Sequence, residues 1–335
     1  MRAYVITSPK VGAVMQVPEP VLKADDLLVQ VERAGICGTD VEFFSGDMAY
    51  LASGEAHFPL RIGHEWCGRV IAVGDSVDST WIGKLVTGDT MLGCQSCERC
   101  RNGFQYLCAD RDEVGIRRGF PGALAEQLAI PLFAIHELPD DMDPAIGAMV
   151  EPTGNALRAF EATKLKAGER LMIFGPGTIG LLCALIAQSR GIEVHLVGID
   201  EKSLEFARQF EFSGFHIQNA IPSRTIHSVI DATFGDGIPA IALEMVEPGR
   251  SVVLIGIAGT PSLIDSRIVV LKDLKVTGIL SASPGLTGAI ELLSKKIIDP
   301  RPLIAGVVAL EDSSEVLSGN RTGVKGNGPK IHIKP

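Results

Sequence analysis

One stretch constrains this chain more than any other: Arg170-Leu171-Met172-Ile173-Phe174, followed at once by Gly175-Pro176-Gly177-Thr178-Ile179-Gly180. The first five residues read as a largely apolar strand, and residues 178–190 read as a helix. A strand that turns through G-x-G-x-x-G into a helix is the setting of a dinucleotide-binding unit. Gly175 permits the turn, Gly177 lets a pyrophosphate approach the backbone, and Gly180 lets the helix pack closely on the strand. The helix N-terminus favours the anionic phosphates. The next strand, 193–199, ends at Asp200, twenty residues beyond Gly180. An acid there bonds the adenosine ribose 2′-hydroxyl and repels a 2′-phosphate, and Glu201 adds to the repulsion. The expected cofactor is NAD rather than NADP.

Further strands read at 214–217, 228–232, 251–256 and 275–280, giving six, with helices over 236–246 and 286–298. The crossover at 218–227 has room only for a reduced helix. Residues 153–298 therefore read as a doubly wound, parallel six-stranded α/β domain. Before them the pattern differs. Segments 2–6, 27–33, 68–74 and 124–130 are short, rich in Val, Leu and Ile, and separated by Gly, Pro and Asp, as in a partly open β-barrel with long loops. Residues 299–335 should return to this first domain (1–152), with Pro329-Lys330-Ile331-His332-Ile333-Lys334 as a final strand. A length of 335 residues suits two domains, and a hydrophobic share of 46% is ample for two cores.

Chemistry concentrates in the first domain. Gly35-Ile36-Cys37-Gly38-Thr39-Asp40 puts a thiol, a hydroxyl and a carboxylate within four residues, and Gly63-His64-Glu65 follows. Cys, His and a carboxylate are the ligands of a zinc site that keeps one position open for chemistry. Cys94, Cys97, Cys100 and Cys108 form C-x2-C-x2-C-x7-C. Four thiolates leave no open position, so a zinc ion there would be structural; an iron–sulfur cluster or two disulfides are the competing readings. Cys67 and Cys183 lie in apolar surroundings and read as packing residues. Arg99 and Arg101 flank the cysteines as they would in a nucleic-acid-binding zinc ribbon, but the net charge of −9 argues against a nucleic-acid partner. The N-terminus lacks a secretory h-region, no apolar run approaches a membrane span, and thiol clustering without a signal peptide favours metal over disulfides. A cytoplasmic protein is expected.

Gly-Ile-Cys-Gly-Thr-Asp, Gly-His-Glu and the four-cysteine lobe, in this order, resemble the zinc-containing medium-chain alcohol dehydrogenases over nearly the whole chain. The polyol branch, with sorbitol, threonine and glucose dehydrogenases, is most similar. The resemblance implies a GroES-like catalytic barrel beside the Rossmann domain, two zinc ions per chain, and a homodimer or homotetramer. It places Cys37 and His64 on the catalytic zinc. Polyol members commonly use an acidic third ligand. Glu65 is favoured here, and Glu151, in Met149-Val150-Glu151-Pro152, is the alternative ligand or a substrate contact. Glu65 can instead act as a carboxylate that orients its neighbours. Asp40 is expected to hold a ligand side chain in place.

The implied reaction moves a hydride between a zinc-polarised alcohol and the nicotinamide. In the family the hydroxyl matching Thr39 starts the proton relay. A His that helps complete it in many relatives is replaced by Glu42, which can take the proton, bind a substrate hydroxyl, or be only a solvated charge. Thr233, Ile257 and Leu280-Ser281-Ala282-Ser283 are placed near the nicotinamide by resemblance. The acids Glu42, Glu65 and Glu151 suit a hydroxyl-rich alcohol: a polyol, sugar, cyclitol or amino alcohol. Two other classes stay open, a zinc-poor quinone or enoyl reductase of this fold and a non-catalytic metal- and nucleotide-binding module.

Overall fold

The computed structural model describes residues 1–335. The chain divides into two compact units, Met1–Glu151 with Ala289–Lys295 and Asp299–Pro335, and Pro152–Gly288 with Lys296–Ile298. The expected boundary at 152/153 lies one residue from this division. Residues 289–295 group with the first unit, so the division falls within the helix Leu286–Ser294, after Gly288; the helix stops four residues before the expected 298.

The first unit opens with nine strands: β1 (Arg2–Ser8), β2 (Val11–Gln16), β3 (Asp26–Gly35), β4 (Glu65–Val73), β5 (Leu85–Gly88), β6 (Met91–Leu92), β7 (Asp112–Glu113), β8 (Gln127–Pro131) and β9 (Ile135–Glu137). In β3 the alternation is that of a half-buried strand: Leu27, Val29 and Val31 are buried while Gln30 and Glu32 are not. These side chains join Ile6, Phe43, Trp66 and Leu128 in one core. Each such fully buried apolar side chain contributes about 1.5–3 kcal/mol.

The second unit holds β10 (Arg170–Phe174), β11 (Glu193–Gly198), β12 (Gly214–Ile217), β13 (Ile226–Asp231), β14 (Val246–Leu254) and β15 (Lys275–Gly278). They form one parallel sheet in the order β12-β11-β10-β13-β14-β15. Leu171 to Phe174 are all buried, the continuous apolar run of a strand covered on both faces. Between β12 and β13 only a short turn, Gln218–Ala220, stands where a full crossover helix would otherwise run. This is a doubly wound Rossmann sheet.

The chain then adds β16 (Ile304–Ala309) and β17 (Lys330–Lys334) to the first unit. β17 pairs with β16 and, antiparallel, with β3, placing His332 opposite Gly35. The resulting sheet runs β16-β17-β3-β4-β5-β9, with β8 on β3. The strand expected at 124–130 starts only at Gln127, because Ala123, Leu124 and Glu126 bond instead to Gly63, Ile62 and Arg2 across the loops. β2, β5, β6, β7, β9 and β16 had no counterpart in the sequence reading.

Candidate metal centres and dinucleotide cradle

β3 delivers Cys37. It ends at Gly35, and Cys37 becomes the extended N-cap of the helix Gly38–Ser45. Asp40, at the third helical position, accepts the Cys37 amide through Oδ2 at 2.9 Å. Its other oxygen accepts the amide of Gly63 at 3.1 Å and stands 3.7 Å from His64 Nδ1. One fully buried carboxylate thus ties the Cys37 turn to the His64 turn. Burial raises the Asp40 pKa, against the pull of His64 and the Cys37 amide. Burial works against a charged His64, but Asp40 and Cys37 raise its pKa well above the ordinary value.

Glu65 opens β4 and lies opposite Gly35 on β3, so it stands on a strand end. A Cβ at Gly35 would fall 2.2 Å from Glu65 Oε2, so only glycine admits this carboxylate. The donor atoms of Cys37, His64 and Glu65 all lie within 4.8 Å of one another, and His64 Nδ1 is buried with no hydrogen-bond partner. The set fits a zinc ion: one thiolate, one imidazole and one carboxylate, with a fourth tetrahedral position left over. Glu151 is buried at the start of the helix Val150–Thr163 and acts on His64 through its charge, but it is not among these three clustered donors.

The sequence reading missed Lys330. This buried lysine, the first residue of β17, donates to Glu65 Oε2 at 2.5 Å and to the Ile36 carbonyl at 2.8 Å. Glu65 is therefore offered to the site already paired with a cation. Nothing local in the sequence marks Lys330. It matters because β17 pairs with β3 beside Gly35, a contact across 265 positions.

Thr39 and Glu42 sit one turn apart on the helix that Cys37 caps, both half-buried. Burial, and secondarily the charge of Asp47, raises the Glu42 pKa.

The four-cysteine lobe is separate and local. All four sulfurs lie within 4.8 Å of one another, with Cys94–Cys100 at 4.0 Å and Cys97–Cys108 at 3.8 Å. A tetrahedron with metal–sulfur bonds of about 2.3 Å has edges of about 3.8 Å, so the lobe fits one ion. These separations rule out disulfides, which need S–S contacts of about 2.0 Å. The Ser96 hydroxyl and the Cys97 amide donate to Cys94 Sγ at 3.4 Å. The Ser96 hydroxyl leads the groups that hold the Cys94 pKa down, at about 6. Arg99 and Arg101 donate to the carbonyls of Leu107 and Ser96 at 2.7 and 2.6 Å, bracing the lobe from inside. Cys67 and Cys183 are fully buried, and burial raises both thiols' pKa values, that of Cys183 to about 12.

In the second unit Gly175 has φ +96, a backbone angle that favours glycine, and a Cβ at Gly180 would fall 1.8 Å from the Gly175 carbonyl. A Cβ at Gly177 would meet nothing, so the backbone there faces open space, as a cradle for a pyrophosphate requires. Pro176 completes the turn, and Thr178 and Ile179 open the helix Thr178–Ser189. Asp200 caps the helix Glu201–Glu205 by accepting the Ser203 amide through Oδ1 at 2.8 Å. Glu201 is paired with Arg208 at 2.6 Å, so its repulsion of a 2′-phosphate is offset locally. Thr233 bonds to the buried Asp231 at 2.7 Å, Ser281 to Ser283 at 2.8 Å, and Ile257 is 69% exposed.

Residues 23–140 match the alcohol dehydrogenase GroES-like domain. L-threonine 3-dehydrogenase of Saccharopolyspora erythraea is 34% identical over 291 residues, covering 83% of each chain. The chain belongs to the zinc-dependent medium-chain dehydrogenases. Within them it lies in the polyol and threonine dehydrogenase branch. A zinc-binding dehydrogenase of Sinorhizobium meliloti, solved with NADP, shares the fold of this medium-chain dehydrogenase at a TM-score of 0.89 and 26% identity, covering 100% of this chain and 99% of that one. Galactitol-1-phosphate dehydrogenase of Escherichia coli does so at 0.87 and 24%, covering 100% of both chains. The relatives are oxidoreductases, and no helix of this chain is long and apolar enough to cross a membrane.

Proposed function

We propose that this chain is a zinc- and NAD-dependent dehydrogenase that interconverts a hydroxyl-rich secondary alcohol (polyol, sugar, cyclitol or amino alcohol) and its ketone. The observation that carries the reading is the three-donor cluster of half-buried Cys37 with buried His64 and Glu65, a set that leaves one tetrahedral position open. When bound there, zinc supplies Lewis-acid polarisation of an alcohol or carbonyl oxygen, and NAD supplies the hydride acceptor. Cys37 and His64 hold the ion, and Asp40 fixes both turns. Glu65 serves as third ligand or, released to Lys330, as an orienting carboxylate; Glu151 is the alternative ligand or a substrate contact. Thr39 carries the hydroxylic proton away from the substrate oxygen, and Glu42, with its raised pKa, is placed to receive it. A second zinc in the four-cysteine lobe is structural.

Gly175, Gly177 and Gly180 cradle the pyrophosphate. Asp200, with Oδ1 engaged in its cap, would offer its other oxygen to the ribose. Thr233, Ile257 and Ser281 flank the nicotinamide. β15 ends the sheet and exposes Val276, and the neighbouring helix Ser266–Leu271 exposes Val270 and Leu271. An open apolar edge of this kind supports a homodimer or homotetramer. All seven cysteines are free, which suits the cytoplasm.

The test combines elemental analysis with a screen of polyols, aldoses, cyclitols and amino alcohols, L-threonine included, against NAD and NADP. Two zinc ions per chain and NAD-linked oxidation of one of these classes are expected. One ion or fewer, or turnover confined to quinones or enones without zinc, would overturn the reading. Equal use of NADP would remove the role given to Asp200; otherwise Asp200→Ser should narrow the preference.

A further inference from the structure

A cavity in the first unit lies away from the metal donors. Its volume is about 610 Å³, and Cys37, His64, Glu65 and Glu151 do not line it. Val17, Pro59, Phe120 and Leu128 give it an apolar wall. Arg61 and Arg118 bring guanidinium groups to the same wall. Arg118 is already engaged: its Nη1 donates to the Asp110 carbonyl at 2.9 Å, and Nη2 lies 3.6 Å from the Asp110 carboxylate. Arg61 is not. Its carbonyl accepts the Gly122 amide at 2.9 Å, fixing the backbone, but its guanidinium makes no hydrogen bond and no ion pair within the chain. Burial alone lowers its pKa, with no carboxylate acting to raise it.

A half-buried cation normally has a partner, because taking a charge out of water costs more than an unmet guanidinium recovers. A cavity of several hundred Å³ with an apolar wall and a half-buried guanidinium that meets no partner has the make-up of a small-molecule site. The planar fork of Arg61 matches a carboxylate or a phosphate oxygen pair. We propose that this cavity binds a small amphipathic monoanion, its anionic oxygens on Arg61 and its apolar body against Pro59, Phe120 and Leu128. The charges of the wall decide the valence. Lys23, Arg61 and Arg118 are balanced by Glu19, Asp26 and Asp112, three against three. A wall of no net charge adds no overall attraction for a second negative charge on the ligand, so a monoanion is preferred to a dianion.

The test uses the zinc-loaded, full-length protein and three fluorinated probes followed by ¹⁹F NMR: 4-fluorobenzoate, 4-fluorophenyl phosphate and 4-fluorobenzyl alcohol. Saturable binding of the benzoate is expected, tighter than that of the phosphate and at least about tenfold tighter than that of the alcohol, the scale of a charge-assisted hydrogen bond. Arg61→Gln should weaken benzoate binding by a similar factor while zinc content and dehydrogenase activity hold, which shows that the variant folds. Phe120→Ala should weaken all three probes together. Equal binding of acid and alcohol, benzoate binding that survives Arg61→Gln, binding lost on chelation instead, or no binding at all would each overturn the proposal. Tighter binding of the phosphate would overturn the valence.

Discussion

The two metal loci of this chain are built in opposite ways. The four-cysteine lobe draws every donor from residues 94–108, keeps Cys94 at the surface, and braces itself with its own arginines and amides. The Cys37 locus draws donors from the ends of β3 and β4, buries His64 and Glu65, and depends on Lys330 from β17. A local site needs only its own loop to be folded. A dispersed one exists only when the whole barrel does. The contrast teaches why the first is a staple and the second can be a reaction site. Four thiolates close a coordination sphere, whereas three mixed donors held by a rigid barrel leave one place free.

The sharpest way to break that contrast is to remove one thiol from each. Cys37→Ala should lower turnover on the order of 10³-fold, the several kcal/mol that a catalytic metal supplies. It should lower the zinc content from two ions to one with little change in Tm. Cys100→Ala should do the reverse: a lower Tm and residual turnover in the fraction that stays folded. Elemental analysis, calorimetry and steady-state rates on the two variants decide the matter, and similar profiles would erase the distinction.

Lys330→Met comes next. It leaves the buried Glu65 carboxylate without its cation, and breaking a buried pair from one side costs about 3–5 kcal/mol. Denaturant unfolding should show that loss. Glu65→Gln combined with Lys330→Met should recover part of the stability but not the activity. A single variant as stable as the parent would mean that Glu65 is held by something else.

A smaller effect sharpens the comparison through pH. His332 is wholly buried beside Lys330, neither ring nitrogen has a hydrogen-bond partner, and burial pushes its pKa down to about 3. The unfolded chain takes up a proton on this residue near pH 6.5 and the folded chain does not. Stability is therefore complete above pH 6.5 and declines as pH falls from there towards 3. Between pH 7 and 5 the loss from this one group is about 2 kcal/mol. His332→Leu should flatten that part of the stability profile, while the four-cysteine lobe keeps its zinc over the same interval.

The smallest effect is on proton transfer through the half-buried Glu42. If it receives the proton from Thr39, Glu42→Gln should lower turnover and shift the acid limb of the pH–rate profile. A change in KM alone would make it a substrate contact.

What could be read without coordinates follows the same division between local and dispersed. The Rossmann half was legible because its signals are contiguous: the strand Leu171–Phe174, the three glycines and the helix Thr178–Ser189 follow one another directly. The cysteine lobe was legible for the same reason. Lys330 was not, since its importance arises from a strand pairing and not from its neighbours. Nor could Asp40 be seen to join two turns, because its second partner, the Gly63 amide, is brought in by the barrel. The strands β2, β5, β6, β7, β9 and β16 escaped because two to six residues carry too little periodicity to stand out. Arg208 offsetting Glu201 was likewise hidden, as seven positions along a broken helix is not a spacing that pattern reading couples.

The pairing of Glu65 with Lys330 also has a consequence in time. At roughly 5–20 residues per second, the ribosome takes roughly 13–53 s to travel the 265 positions between them. During that interval the nascent chain already owns both sets of zinc donors and then the entire dinucleotide sheet, yet the carboxylate meant for the barrel interior has no counter-charge and no reason to leave water. An interrupted chain would therefore carry an unfinished metal pocket. The Glu65 carboxylate gains its counter-charge only when β17 arrives.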